Sequence, residues 1–441
     1  MIPRMVIRVT PLLTEAGAEQ LVLSLEEPAA DGVTVLQCRG TEPELLDLAA
    51  DPPQAGAVLA SGRFLFDKLA AHHPIELELK QTVSPKGQQR QLYLELRAQG
   101  LAEAMPWETL CSPGNDFLSL DVRWPVTRLV RPVDEGAGVR SFQPPLRIAL
   151  LLSCLGVPAA PEWRQIWPVL KSAPFPVEVL ALVSEDALKQ EITAVGGPRI
   201  TVEGLPPQIA TLQQRISQFR PHVIHAFCHG SLEEGAHLEL AVASDWVAGA
   251  PLRSLLLEPH QINELSNPAE ATWLAVLNCC DVGAPVGSVH SLARDLVQYG
   301  PFAAAIAMRE PVRPADAVSF SAGLYPGLVT AVQRVVTAAG VATDVDWASM
   351  MVEPRRRLCQ DHQRGSPFSA AARSTKQWTL PVLYVRASAF QANLDTRPTT
   401  DADALTLELL RAFRSQLSPD VPASLRADID TNIARLEAGL P

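Results

Sequence analysis

The sequence predicts an α/β fold: a mostly parallel sheet flanked by helices, preceded by an α+β segment and followed by a helical hairpin. Three observations predict it. From Leu146 onward, apolar runs ("LRIALLLSCLG", "VEVLALVSE", "HVIHAFCHG", "WLAVLNCCD", "PFAAAIAMREPV", "WTLPVLYVR") alternate with amphipathic stretches. Strands that are apolar throughout and separated by such helices belong to parallel sheets covered on both faces. The chain ahead of them mixes short β-rich runs with a helical patch. Near the end, Leu409, Phe413 and Leu417, then Leu425, Ile429 and Leu436, recur at helical spacing around "SPDVP".

Taken in order, "RMVIRVTPLL", "EQLVLSLEEP", "IELELKQTV" and "RQLYLELRAQG" read as β-rich, and "SGRFLFDKLAAHH" as helical. They make an N-terminal α+β segment over 1–135. The Gly- and Pro-containing stretch "VDEGAGVRSFQPP" interrupts the pattern and marks a boundary. The core spans 146–388. After the polar linker "ASAFQANLDTRPTTDAD", the hairpin occupies 401–441. Sensor repeats and low-complexity segments are not recognisable.

With 441 residues, 47% of them hydrophobic and 19% charged, the chain has the balance of a soluble globular protein with room for two or three domains. A net charge of -11 argues against direct nucleic-acid binding, which normally shows a basic stripe. No run approaches the roughly 18 apolar residues of a membrane span, and "MIPRMVIRVTPLLTEAG" lacks the layout of a signal peptide. The expected location is therefore the cytoplasm, with no membrane contact. Seven cysteines at irregular spacing suit reduced thiols in that setting.

In open parallel sheets, chemistry collects outside the carboxyl ends of the strands. Two strands here end in reactive residue types: His229-Gly230 and Cys279-Cys280-Asp281. A histidine at hydrogen-bonding distance can take a thiol's proton and favour the thiolate, and neighbouring strands lie about 4.8 Å apart. The residues alone leave open whether the two tips meet for catalysis. Cys228, His229, Cys279 and Cys280, with His225, also include the ligand types of a structural zinc site. Adjacent strand residues point to opposite faces, so these could not all converge on a metal while the strands stay regular. Cys154, Cys228 and His225 read as core residues, "EEGAHLE" as a solvated loop and "EPRRRL" as a helix surface.

The pair "IHAFCHG" and "VLNCCDVG" resembles the two motifs of the CHAT family of caspase-like cysteine peptidases. His229 and Gly230 match the first motif, and Leu277, Asn278, Cys280 and Gly283 match the second; Cys279, Asp281 and Val282 depart from it. The likeness extends to "MPWETL" at Met105–Leu110, to "VHSLARDLVQYGPFAAAIAMREPV" and to the closing "WTLPVLY", and so covers about Gly62 to Arg386. It implies a caspase-like sheet, Cys280 as nucleophile and His229 as general base and later acid. The backbone N–H groups of Gly230 and Cys280 would form the oxyanion hole, and Asn278 and Asp281 would border the specificity pocket. No cofactor or metal is implied. The family further implies a protein substrate and a triggered role in bacterial defence or cell death, with a separate sensor or activator protein. The rival expectation is an inactive member serving as an interaction scaffold, suggested by Asp281-Val282.

Overall fold

A computed structural model describes residues 3–13, 19–36, 42–50, 53–83, 89–96, 101–133, 138–231, 236–266, 272–279, 289–338, 340–363 and 365–395, and in the tail residues 411, 414, 426 and 429–433. The strands are β1 (Arg4–Leu13), β2 (Glu19–Glu27), β3 (Thr34–Leu36), β4 (Gln91–Leu96), β5 (Val126–Val130), β6 (Val139–Phe142), β7 (Leu146–Ser153), β8 (Val177–Val183) and β9 (Ile200–Gly204). They continue with β10 (Val223–Ser231), β11 (His237–Leu240), β12 (Leu255–Leu257), β13 (Leu274–Cys279), β14 (Ala304–Met308), β15 (Thr343–Asp344), β16 (Pro381–Arg386) and β17 (Gln391–Leu394).

One sheet carries most of them in the order β3-β2-β1-β4-β5-β16-β14-β13-β10-β7-β8-β9, and β11 and β12 extend from β10. Strands β14, β13, β10, β7, β8 and β9 are all parallel, and β16 lies antiparallel against β14. The fold is thus α/β with a large, mostly parallel central sheet. All six apolar runs read from the sequence are strands of it. From β7 the chain moves outward through β8 and β9, then returns to β10 on the other side of β7. The β7–β10 boundary is therefore the switch point of the sheet.

Both faces are buried. One face presents Leu146, Ile148, Leu150 and Leu152 of β7 with Phe227 and Val276. The helix Ala160–Lys171 covers it through Trp163, Ile166 and Leu170, a spacing of three and four that keeps one side inward. The longer helix Pro314–Thr337 adds Phe320, Leu324 and Leu328. The opposite face carries Ala226, Cys228, Leu277 and Cys279 against Leu292 and Leu296 of the helix Val289–Tyr299.

The sheet runs without interruption across the boundary expected near residue 135, because β5 pairs in parallel with β16. A third core cluster fills the N-terminal part, around Ile7, Leu23, Leu69 and Trp107. There the helix Ala57–Ala70 packs so closely on the "PWET" loop that a Cβ on Gly62 would stand 2.1 Å from the Thr109 carbonyl oxygen. Only glycine fits that approach.

Three local expectations need correction. "IELELKQTV" falls mainly in a helix, His73–Thr82, with Ile75, Leu79 and Thr82 buried; the alternating letters imitate a strand, and the burial follows the helical period. "EEGAHLE" contains the start of β11, whose His237 is buried. "EPRRRL" does lie on a helix, Val352–His362, but Arg355 is fully buried and donates to the Pro381 carbonyl at 3.0 Å. Strand β9 is a partly exposed edge strand whose sequence carries little apolar signal.

Most of the C-terminal hairpin lies outside the described residues. Two of its described side chains, Arg414 and Asp430, form an ion pair with Nε–Oδ1 at 2.6 Å, and Ile429 is buried. No helix among the described residues is long and apolar enough to cross a membrane.

Candidate active site

Strand β10 changes partners where the chemistry begins. It pairs in parallel with β7 and β13 as far as Cys228, opposite Ser153 on one side and Cys279 on the other. The next residue, His229, pairs instead with Glu239 of β11, and Gly230 with Leu238. His229 is therefore the first residue beyond the parallel ladder, at the switch point. Both His229 and Gly230 are partly exposed, while the strand behind them is fully buried.

The loop leaving β7 holds the imidazole. His229 Nε2 lies 2.7 Å from the Leu155 carbonyl oxygen. A carbonyl can only accept, so in the neutral ring the proton belongs on Nε2 and Nδ1 keeps its lone pair. The histidine thus has an orienting partner, which a reading of side chains alone missed because the partner is a backbone atom. Cys154 Sγ stands 3.7 Å from Nδ1 and 3.6 Å from Nε2 and is fully buried, so this thiol supports the ring from the core side.

Cys279 is buried on the face away from His229, with its Sγ 3.9 Å from that of Cys228. Cys280 and Asp281 lie outside the described residues. Asn278, the residue before Cys279, occupies the other face, with His225 and Glu162. The ligand types weighed for zinc are split by the sheet, Cys228 and Cys279 on one side and His225 and His229 on the other. Among the described residues, no group of three or more His, Cys, Asp or Glu side chains could hold a metal ion.

Asn278 is fully buried, and its amide donates to Glu162 Oε1 at 3.0 Å and to the Ala317 carbonyl at 2.9 Å. Its side chain meets the two covering helices and not the open rim. His225 belongs to the same buried group, with Nε2 3.0 Å from Glu162 Oε1, and Ser321 donates to that same oxygen. One carboxylate from the helix Ala160–Lys171 thus ties together β10, β13 and the helix Pro314–Thr337. Buried polar groups of this kind fix the relative positions of the elements that carry them.

The "PWET" loop is anchored as firmly. Trp107 Nε1 donates to the Ala102 carbonyl at 2.7 Å, and Arg128 of β5 forms two bonds to Glu108, 2.9 and 2.8 Å long, with both side chains fully buried. Burial pushes the Glu108 carboxyl upward, but the Arg128 guanidinium outweighs that and holds it below its ordinary value.

The CHAT domain family model matches residues 59–380, most of the chain. The chain belongs to the CHAT domain family. Among solved structures it is similar to the Arg-specific cysteine proteinase gingipain R, at 10% sequence identity and a TM-score of 0.37, over 78% of this chain and 70% of that one. No curated protein sequence matches it.

Proposed function

We propose that this CHAT protein is a cysteine endopeptidase that cleaves a protein target with Cys280 as nucleophile and His229 as general base. The observation that carries the reading is the setting of His229: at the switch point, partly exposed, with Nε2 engaged by the Leu155 carbonyl. In the proposed reaction Nδ1 takes the Cys280 proton, and the thiolate adds to the scissile carbonyl. Backbone N–H groups of Gly230 and Cys280 receive the oxyanion. The imidazolium then protonates the leaving amine, and water hydrolyses the thioester with His229 again acting as base. Asn278 serves this site from below, holding β13 through Glu162; Asp281 borders the substrate.

Among the described thiols, Cys111, Cys359 and Cys154 are poor rivals for Cys280. Burial pushes the Cys111 thiol up to about 12 and raises that of Cys359 as well, so neither offers thiolate at neutral pH. Cys154 touches the imidazole but has no exposed surface from which to meet a substrate. Alkylation by a peptide-directed electrophile tests the assignment. His229→Ala is expected to slow labelling of Cys280 at pH 7 by roughly tenfold, because an unassisted thiol is only a few per cent thiolate there. Cys154→Ala should retain most of the rate. If Cys154→Ala instead abolishes labelling while Cys280→Ala does not, the nucleophile has been misassigned.

We further place the protein in the cytoplasm as a triggered effector of bacterial defence or cell death, with a separate sensor or activator protein as partner. The C-terminal hairpin is the proposed docking element, since short amphipathic helices are marginal unless their apolar side is covered. Deletion of residues 404–441 is expected to leave the melting transition and intrinsic Cys280 labelling unchanged while removing partner-dependent cleavage. A large fall in melting temperature would show instead that the hairpin is part of the catalytic fold.

A further inference from the structure

Two cysteines that the proposed reaction does not use, Cys228 and Cys279, form the last in-register pair between the two strands that carry the site. Each immediately precedes a proposed catalytic residue, His229 or Cys280. Their Sγ atoms are 3.9 Å apart on the face opposite His229, among Leu238, Leu277 and Ala226. Neighbouring strands place paired Cα atoms about 4.8 Å apart, within the roughly 4.4–6.8 Å that a disulfide spans. Backbone separation therefore permits a bond, which needs the sulfurs to approach to about 2.05 Å.

We propose that Cys228 and Cys279 form a reversible disulfide on exposure to hydrogen peroxide and that this cross-link switches off the adjoining site. Cys279 has 5% of its surface exposed and Cys228 none, so Cys279 is the first to react. Its thiolate attacks one peroxide oxygen: the S–O bond forms, the O–O bond breaks, and the departing hydroxide takes a proton to become water. Cys228 then attacks the sulfur of the Cys279 sulfenic acid. The S–S bond forms, the S–O bond breaks, and the hydroxyl leaves as a second water with the Cys228 proton. Two thiols lose two electrons, and one peroxide is reduced to two waters. A thiol reductant reverses the change by exchange.

The effect on the site follows from position. Closing the gap from 3.9 Å to about 2 Å moves each sulfur by about 1 Å, and the part of that movement that side-chain rotation does not absorb falls on the strand ends next to His229 and Cys280. Misplacement of that size at a reacting pair costs about 10²-fold in rate. This second half rests on the proposed peptidase reading; the disulfide does not.

The test has two arms. In the Cys280→Ala protein, treated with hydrogen peroxide and digested without reductant, a peptide pair joined through Cys228 and Cys279 should be found, two hydrogens lighter than its parts and separated by dithiothreitol. Absence of that pair, while the peroxide oxidises other thiols of the same sample, overturns the proposal. In the full protein, Cys279 and Cys280 share one peptide, so labelling of Cys280 is read on the cross-linked species itself. It should be about 10²-fold slower there than in the reduced species. Equal rates would overturn the switch and leave the disulfide. Cys280 unreactive in both species, with the cross-link present, would show that the peptidase reading had failed and the disulfide had not.

Discussion

Cys280→Ala is expected to reduce target cleavage to background, whereas Cys279→Ala is expected to retain most of it. Removal of a covalent nucleophile costs on the order of 10⁶ in kcat where such sites have been dissected, because no other group can form the acyl-enzyme. Cys279 is packed on the far face of β13 against Cys228, so its loss removes a small buried group and leaves the side facing His229 untouched. The measurement is the appearance of new N-termini in cells expressing each variant, with alkylation of the purified proteins as a substrate-independent companion. Equal loss in both variants, with matched melting curves, would sink the assignment of Cys280 and with it the face argument.

Much of this site was legible because parallel sheets impose a strong rule: apolar strands end where polar chemistry begins. "HVIHAFCHG" and "WLAVLNCCD" carry that transition in their letters, and β10 and β13 do lie side by side. What was not legible depends on groups that the chain brings together only in three dimensions. The partner of His229 is a peptide oxygen, at Leu155, that no residue type signals. Glu162 looks like an ordinary first-turn acid of an amphipathic helix, yet it is buried and gathers Asn278, His225 and Ser321. The family resemblance places Asn278 beside the specificity pocket, and no letter of the sequence announces that its amide is engaged by Glu162 and the Ala317 carbonyl. Continuity of the sheet into the N-terminal part was hidden for a similar reason: the pairing of β5 with β16 joins segments about 250 residues apart, with no local sequence pattern to announce it.

The pairing of β5 with β16 makes the Glu108–Arg128 contact the second place where a single change should have a large effect. Glu108→Gln is expected to destabilise the fold by about 3–5 kcal/mol, the usual cost of removing one partner from a fully buried ion pair. Arg128 would keep its carbonyl partners at Glu103 and Met105 but lose the only charge that directly balances it among its described hydrogen-bond partners. The carboxylate does more than neutralise: it holds the "PWET" loop to β5, and Gly62 is packed against that loop. Denaturant unfolding of Glu108→Gln, Arg128→Met and the double variant measures the coupling, and the double variant should lose less than the sum of the singles. The pH dependence has a definite sign. Because the folded carboxyl lies below its ordinary value, its contribution is present above the unfolded value of about 4.3 and is lost as pH falls through the folded one. Wild type should therefore lose this increment of stability on acidification, and Glu108→Gln should lack that part of the loss. Additive single and double variants, or identical acid profiles, would show that the pair fills space without holding the loop to the sheet.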